Sequence, residues 1–261
     1  MKKALYVLVL IIGATAIFVL ATLPAQTVFG WFSTEQVRAF GIEGNIWRGS
    51  AKTLVVGQTQ FSPVTWKFTP STLFGLRLGF QVDAQQGDGF VWTRVELSPR
   101  GKVALKDLQA ALPVDSLSKT LRLSGLGGEL DAHMTEILLD TGWPSRVDGR
   151  VQIKRLRVDI YYANLLGRRT GRAIPPQNEL LGGYVLTFAD QRGDPLFGQI
   201  EDLDGPLEVA GTLTLNRDRS YLVEGLIGTR PGASSELGKV LGLLGPAEDG
   251  GGHRVSLEGS F

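Results

Sequence analysis

The side chains that most often carry out catalysis are scarce in this sequence of 261 residues. It contains two histidines, His133 and His253, and neither lies in the HxH or HExxH spacing that binds a metal ion. It contains no cysteine, which excludes thiol catalysis, disulfide bonds and cysteine-based metal sites. A GxSxG motif for a nucleophilic serine does not occur either. We therefore predict that the protein is not an enzyme and binds no cofactor and no small-molecule substrate.

A small acidic cluster, formed by Glu201, Asp202 and Asp204, could bind a calcium ion, because clustered carboxylates are ligands for hard cations. The spacing is not that of an EF-hand, so a solvated turn is the preferred interpretation. The net charge of the chain is +1, and we predict no binding to nucleic acid.

A basic tract over residues 146–172 carries eight Arg or Lys residues against two Asp residues. Its simplest interpretation is the solvent face of a strand followed by a solvated loop. As an alternative, Arg168, Arg169 and Arg172 are candidate contacts for an acidic partner or for anionic lipid headgroups. Salt screens such contacts beyond about 8 Å, so they would act only at short range.

The amino terminus predicts membrane insertion. Lys2 and Lys3 precede an uncharged stretch over residues 4–23, which as a helix spans about 30 Å, the thickness of the hydrocarbon core. The positive pair favours a cytoplasmic start, with the rest of the chain outside. A cleaved signal peptide is the alternative, with small residues at 19–21. The length of the stretch and Pro24 at its end favour an uncleaved anchor.

These signals divide the chain into a cytoplasmic tip (1–3), a transmembrane anchor (4–23), a juxtamembrane linker (24–45) and a periplasmic β-rich domain (46–261). We expect a short helical turn over residues 33–40 within the linker.

Alternation with period 2 dominates the exported part and predicts strands. Residues 76–84 and 91–97 alternate on either side of a Gly-rich turn, which indicates a β-hairpin. The apolar phase slips once within 151–160, as a β-bulge requires. The predicted fold is mainly β: a curved antiparallel sheet or a β-sandwich with few short helices, preceded by one N-terminal transmembrane helix. Helices are expected over about 114–121 and 234–244, and the longest loop over 165–183.

One motif resembles a known family. Trp47, Gly49 and Ala51 form a W-x-G-x-A pattern, and Trp66 and Pro70 follow in a second pattern about 19 residues later. Together they are similar to the opening signature of the type II secretion system protein N (GspN) family. By residue type alone, the tryptophans predict core anchors, Gly49 a close backbone approach, and Pro70 a strand end.

The carboxyl end also resembles that family, in Gly205-Pro206-Leu207, in Gly211-Thr212-Leu213 and in the closing residues 257–261. The resemblance implies an inner-membrane, single-pass subunit whose C-terminal domain lies in the periplasm. It also implies other type II secretion inner-membrane subunits, and the secretin, as partners. It implies no catalytic residue, cofactor or metal.

Two functional hypotheses remain open from the sequence. The first is a non-enzymatic assembly or scaffold component of the type II secretion system, which supports export of folded periplasmic proteins across the outer membrane. The alternative is a periplasmic lipid-binding or lipid-transfer protein with an apolar β-groove. An open apolar groove favours the second hypothesis, and a close-packed interior argues against it.

Overall fold

The structure is a computed structural model, and it does not describe every residue of the chain. The described residues are Tyr6, 10–12, 14–15, 18–19, 21–32, 37–57, 59–115, 126–160, 177–242, 245–248 and 251–260. Within this part of the chain, none of the helices combines the length and the apolar character that crossing a bilayer requires. The predicted anchor over 4–23 lies partly outside the described residues and stays a prediction.

Fourteen strands in the described part of the chain form one antiparallel sheet. Each strand pairs with the next in chain order, except that β2 pairs with both β3 and β4. The strands are β1 Val37–Gly44, β2 Arg48–Val56, β3 Thr59–Phe61, β4 Val64–Phe68, β5 Leu78–Gln86, β6 Gly89–Leu97, β7 Val103–Pro113, β8 Leu126–Asp140, β9 Trp143–Ile160, β10 Gln177–Arg192, β11 Leu196–Asp204, β12 Leu207–Leu215, β13 Ser220–Thr229 and β14 His253–Ser260.

Among the described residues, the sheet is accompanied by short helices that include α1 (Ala25–Phe32), a 3-10 helix (Pro70–Gly75) and α2 (Ser235–Gly242). Helix α2 confirms the helix predicted over 234–244 within the residues described there. The hydroxyl of Ser234 accepts a hydrogen bond from the backbone N–H of Leu237 at 3.3 Å and so caps its start. The helix predicted over 114–121 extends beyond the described residues after position 115.

The region expected to be a linker is more ordered than the sequence indicated. Residues 25–32 form helix α1, and residues 37–44 form strand β1, which pairs with β2. The helical turn expected over 33–40 is therefore wrong for residues 37–40. Backbone hydrogen bonds to a strand farther along the chain decide this conformation, and they override the local helix signal.

The hairpin and the bulge predicted from alternation are both confirmed, but the first strand of the hairpin begins at Leu78 and not at residue 76. Strands β5 and β6 pair in register from Leu78 to Leu97. On β9, the register shifts between Lys154 and Arg157 relative to β8 and between Ile153 and Arg157 relative to β10, and Arg155 has a φ of 50°. The extra residue at the bulge returns the apolar side chains that follow it to the apolar face of the sheet.

The register gives the sheet an apolar face and a polar face. Leu105 lies opposite Ile137, which lies opposite Val147, whereas on the other side Lys106 lies opposite Glu136. The apolar face includes Trp66, Phe80, Val82, Val95, Leu105, Ile137, Val147, Val151, Leu186, Leu213, Val223 and Val255. The same alternation therefore continues across the whole sheet.

The sheet bends around its apolar face. Cα atoms of β9 and β11 come within 8 Å of each other although β10 lies between them, whereas two strand spacings in a flat sheet amount to about 9.6 Å. Leu196 is 1% exposed and packs with Met134, Val147 and Phe188. All described strands belong to one sheet, so the sandwich alternative is wrong and the curved antiparallel sheet is correct.

Candidate functional site

Trp66 lies against the backbone of the neighbouring strand because its partner in the sheet is a glycine. Gly49 on β2 is directly opposite Trp66 on β4. A Cβ atom on Gly49 would lie 2.5 Å from Cζ2 of Trp66 and 2.5 Å from the carbonyl oxygen of Glu43. The indole N–H donates to the carbonyl oxygen of Asn45 at 3.2 Å. The ring is thus fixed by both packing and a hydrogen bond.

The other motif residues surround this position. The ring of Trp47 meets Phe68 edge to face with centroids 4.7 Å apart, and Phe68 meets Phe80 at 5.6 Å. Edge-to-face and tilted pairs of this kind stabilise a core beyond the area they bury. Pro70 begins the 3-10 helix two residues after β4 ends. The four motif residues therefore build one end of the sheet.

An apolar pocket of about 310 Å³ lies beside Trp66. It is lined by Ala25, Val28, Phe29, Ile46, Leu54, Val64, Trp66, Phe80, Val82 and Val95. The indole N–H is the only side-chain hydrogen-bonding group among these residues, and it already has a partner. Water in such a space gains no hydrogen bond from the walls, and apolar sites of this kind accept apolar ligands. The volume lies at the lower end of the range for small-molecule sites.

Helix α1 forms one wall of the pocket and ties the end of the predicted anchor to the sheet. The ring of Phe29 lies 5.4 Å from that of Trp66, and Ala25 is buried. Just before the helix, the carbonyl oxygen of Leu23 accepts a hydrogen bond from the N–H of Ile46 at 3.1 Å. Sequence reasoning missed this wall because it treated residues 24–45 as a linker. The apolar 3–4 spacing of Ala25, Val28 and Phe29 was the signal available.

The polar face carries a network of ion pairs between neighbouring strands. Arg146 on β9 pairs with Glu136 on β8 and donates from Nε to Asp190 on β10 at 2.6 Å. Lys154 on β9 pairs with Asp131 on β8 at 2.6 Å. Three residues of the basic tract, Arg146, Lys154 and Arg155, are therefore paired with carboxylates, in agreement with a solvent face of the sheet.

Asp190 should contribute to the acid sensitivity of the protein. Hydrogen bonds from Arg192 and Arg146 lower its pKa to about 2, below the ordinary aspartate value of about 4. A depressed folded-state pKa stabilises the fold above the unfolded pKa, and this contribution is lost as pH falls from about 4 to 2. We expect Asp190→Asn to lower the melting temperature at pH 7. The melting temperature of the variant should also fall less steeply than that of the parent protein between about pH 4 and pH 2.

Circular dichroism melts of the full chain in detergent at pH 7, 4 and 2 measure this effect. Asp88→Asn, in the exposed turn between β5 and β6, is the matched control and should leave the curve unchanged. Identical pH profiles for Asp190→Asn and the parent protein would contradict the assignment.

The acidic cluster near the carboxyl end has structural partners. One carboxylate oxygen of Asp202 accepts the backbone N–H of Val209 at 2.8 Å, and the other accepts a hydrogen bond from Arg230. Within the described ranges, no group of three His, Cys, Asp or Glu side chains could hold a metal ion. Asp202 is thus used to join β11, β12 and the end of β13.

Helix α2 covers the other end of the apolar face. Leu237 and Leu241 of the helix are buried against Leu207 of β12. Gly211 lies opposite Gly225, and a Cβ atom on Gly211 would lie 2.7 Å from the carbonyl oxygen of Glu224. Leu196 and its neighbours are thus buried together in the middle of the apolar face and α2 covers this end, while the pocket beside α1 stays accessible.

The candidate basic contacts Arg168, Arg169 and Arg172 lie outside the described residues, within the gap from 161 to 176. Their role as a contact for an acidic partner remains a proposal from the sequence.

Comparison with known proteins identifies the family. The model of the family "Type II secretion system (T2SS), protein N" matches residues 35–256. This chain belongs to that family. The match includes the patterns around Trp47 and Trp66 and the segment 205–213, and it ends just before the closing residues 257–261. It supports a role for the protein as a component of the type II secretion system. No curated protein sequence and no solved structure matches the chain.

Proposed function

We propose that this family member is a non-enzymatic assembly component of the type II secretion system. In this proposal, residues 4–23 anchor it in the inner membrane and its sheet domain lies in the periplasm. It would support export of folded proteins by binding other inner-membrane subunits and the secretin. The observation that carries the proposal is the open sheet, whose first and last strands each have one unpaired edge within the described part of the chain.

The exposure of the amino-terminal side chains supports the anchor. Tyr6, Leu10 and Phe18 are 74%, 72% and 68% exposed, so they do not pack on the sheet. The hydroxyl of Thr22 donates to the carbonyl oxygen of Phe18 at 2.8 Å, a bond to the preceding turn that is common where a hydroxyl lies in a helix. An apolar helix that leaves its side chains uncovered requires a bilayer or a partner.

The use of the histidines supports a non-enzymatic role. Nδ1 of His253 lies 2.9 Å from the carbonyl oxygen of Gly245 and so holds the start of β14 in place. His133 lies on the exposed polar face, opposite Arg150 of the next strand. A general base needs a positioned partner and a substrate cavity, and the pocket beside α1 contains no titratable side chain.

The edge strand β14 is the contact that we propose for a partner. An exposed edge offers its backbone N–H and C=O groups to an incoming strand. Leu257 in this strand is 56% exposed and would lie against such a strand. Because the chain has no cysteine, a single cysteine can be placed there without background.

Cross-linking of Leu257→Cys in native membranes tests this contact. We expect a thiol-reactive cross-linker to join this variant to another secretion subunit. Thr187→Cys, exposed on the interior strand β10, should give at least several-fold less of the product. Equal products from both variants would contradict binding through the edge.

Charge reversal tests the basic candidate separately. The triple substitution of Arg168, Arg169 and Arg172 by Glu should weaken recovery of partner subunits and reduce secretion, because it replaces attraction to an acidic partner with repulsion. Arg217→Glu with Arg219→Glu, in the exposed turn after β12, is the control. Normal recovery and secretion by the triple variant would eliminate these residues as the contact.

A second candidate function is the binding of lipid in the pocket beside α1. Its apolar lining and its volume of about 310 Å³ favour an acyl chain over a polar ligand. Transfer of lipid along the whole sheet is disfavoured, because the middle of the apolar face is close-packed around Leu196. This candidate therefore predicts one bound acyl chain in the pocket near the membrane, and no continuous apolar groove that carries lipid along the sheet.

A further inference from the structure

The 3-10 helix and the start of β5 expose a run of large apolar side chains. Phe74 is 96% exposed and Leu76 is 77% exposed, and Leu73 and Leu78 are each close to half exposed. We call residues 73–78 the apolar tip. Contiguous apolar exposure of this kind is unusual on a soluble surface and marks a site of contact with a protein or a membrane.

The apolar tip lies at the end of the sheet where the chain arrives from the predicted anchor. The carbonyl oxygen of Leu23 accepts from the N–H of Ile46, immediately before β2 begins. The N–H of Phe68, at the end of β4, donates to the carbonyl oxygen of Trp47 at 2.6 Å. The end of β4 is thus adjacent to the start of β2, and the tip continues from it after Pro70.

Basic side chains lie beside the tip, together with Glu96. The turn between β6 and β7 lies at the same end of the sheet, because Leu78 pairs with Leu97. Arg77, Arg100 and Lys102 line a surface hollow of about 500 Å³ beside Leu76. Arg77 and Lys102 also pair with carboxylates of neighbouring strands, and Arg100 is exposed. Cations next to exposed apolar groups are the arrangement that binds an anionic bilayer surface.

We propose that the apolar tip inserts into the outer leaflet of the same membrane that holds residues 4–23, with Arg77 and Arg100 at the headgroups. This inference rests on the anchor in the proposed function. Two attachment points, the anchor and the tip, would fix the orientation of the sheet relative to the bilayer. They would also hold the pocket beside α1 close to the lipid, because helix α1 follows directly on the anchor.

Spin labelling of the full chain in vesicles tests the insertion. Gly75→Cys places a nitroxide between Phe74 and Leu76, and a Cβ atom there meets no heavy atom within 4 Å. Asp88→Cys places the label in the turn at the opposite end of the same hairpin, some eight residues or about 27 Å along β5. The vesicles contain phosphatidylethanolamine with phosphatidylglycerol, and no other protein.

For each nitroxide we compare its accessibility to oxygen with its accessibility to a water-soluble nickel chelate. We expect the ratio of oxygen to nickel accessibility to be several-fold higher at Gly75→Cys than at Asp88→Cys. Equal, water-like ratios at both positions would overturn the proposal. A label at Gly75→Cys that is accessible to water in vesicles but shielded in membranes containing the secretion system would also overturn it, and would assign the tip to a protein partner.

Extraction of the same vesicles with alkaline carbonate tests the anchor by itself. If the protein stays in the vesicles while the tip is accessible to water, only the insertion of the tip is contradicted. If the protein is released from the vesicles, the anchor on which the proposed function depends is contradicted.

Discussion

Replacing Leu196 with alanine should lower the free energy of unfolding by about 3 kcal/mol, because leucine-to-alanine changes in a core cost about 2–5 kcal/mol. Leu196 is the largest side chain that is fully buried in the described residues, and it joins β11 to Met134, Val147 and Phe188. A single sheet can bury it only by bending, so the cavity would lie where the curved strands meet.

Urea unfolding of the full chain in detergent, followed by circular dichroism, measures the change. Leu226→Ala is the matched control, because this leucine is exposed on β13, and it should change the free energy by less than about 1 kcal/mol. A loss for Leu196→Ala no greater than for the control would mean that the middle of the apolar face is open. The argument against a continuous lipid track would then fail.

A methyl group added at Gly49 should lower the free energy of unfolding by about 2 kcal/mol, within the range for an overpacked core. The added Cβ atom would lie 2.5 Å from the backbone oxygen of Glu43 and from the ring of Trp66. Both contacts are too short for a Cβ atom, so β1 must shift away from Gly49 and the indole must leave its place. Its hydrogen bond to Asn45 would lengthen or break.

Tryptophan fluorescence measured with the unfolding curve reports this displacement. We expect Gly49→Ala to shift the emission as Trp66 moves, and to weaken any lipid bound in the pocket that Trp66 lines. Gly75→Ala is the control, since nothing lies within 4 Å of its added Cβ atom. Unchanged fluorescence and stability in Gly49→Ala would show that the close approach does not position the indole.

The sequence predicted the parts of the fold that depend on neighbouring residues. Alternation specified the hairpin of β5 and β6 and the bulge near Arg155, because the phase of a strand is a local property. It could not specify strand β1, whose backbone pairs with β2 beyond a turn. It also left the sandwich open, because alternation defines an apolar face but does not determine what covers it.

The candidate site was predictable only in part for the same reason. Trp47, Gly49, Trp66 and Pro70 were evident from type and spacing, but the pocket requires Phe29 of α1 to meet Trp66 across 37 residues of chain. The apolar tip could not be predicted from the sequence either. Residues 76–84 alternate like one strand, whereas Leu76 has a φ of 52° and ends the 3-10 helix before β5 begins. Leucine at that position points to solvent, which alternation cannot show.

Native mass spectrometry of the tagged full chain, extracted in mild detergent from its own membranes, tests the central claim most directly. An assembly component of the type II secretion system should be recovered with other inner-membrane subunits of that system, in complexes that persist without bound lipid. Recovery of the protein alone, carrying one lipid that survives the detergent, would contradict the assembly role and make lipid binding its function.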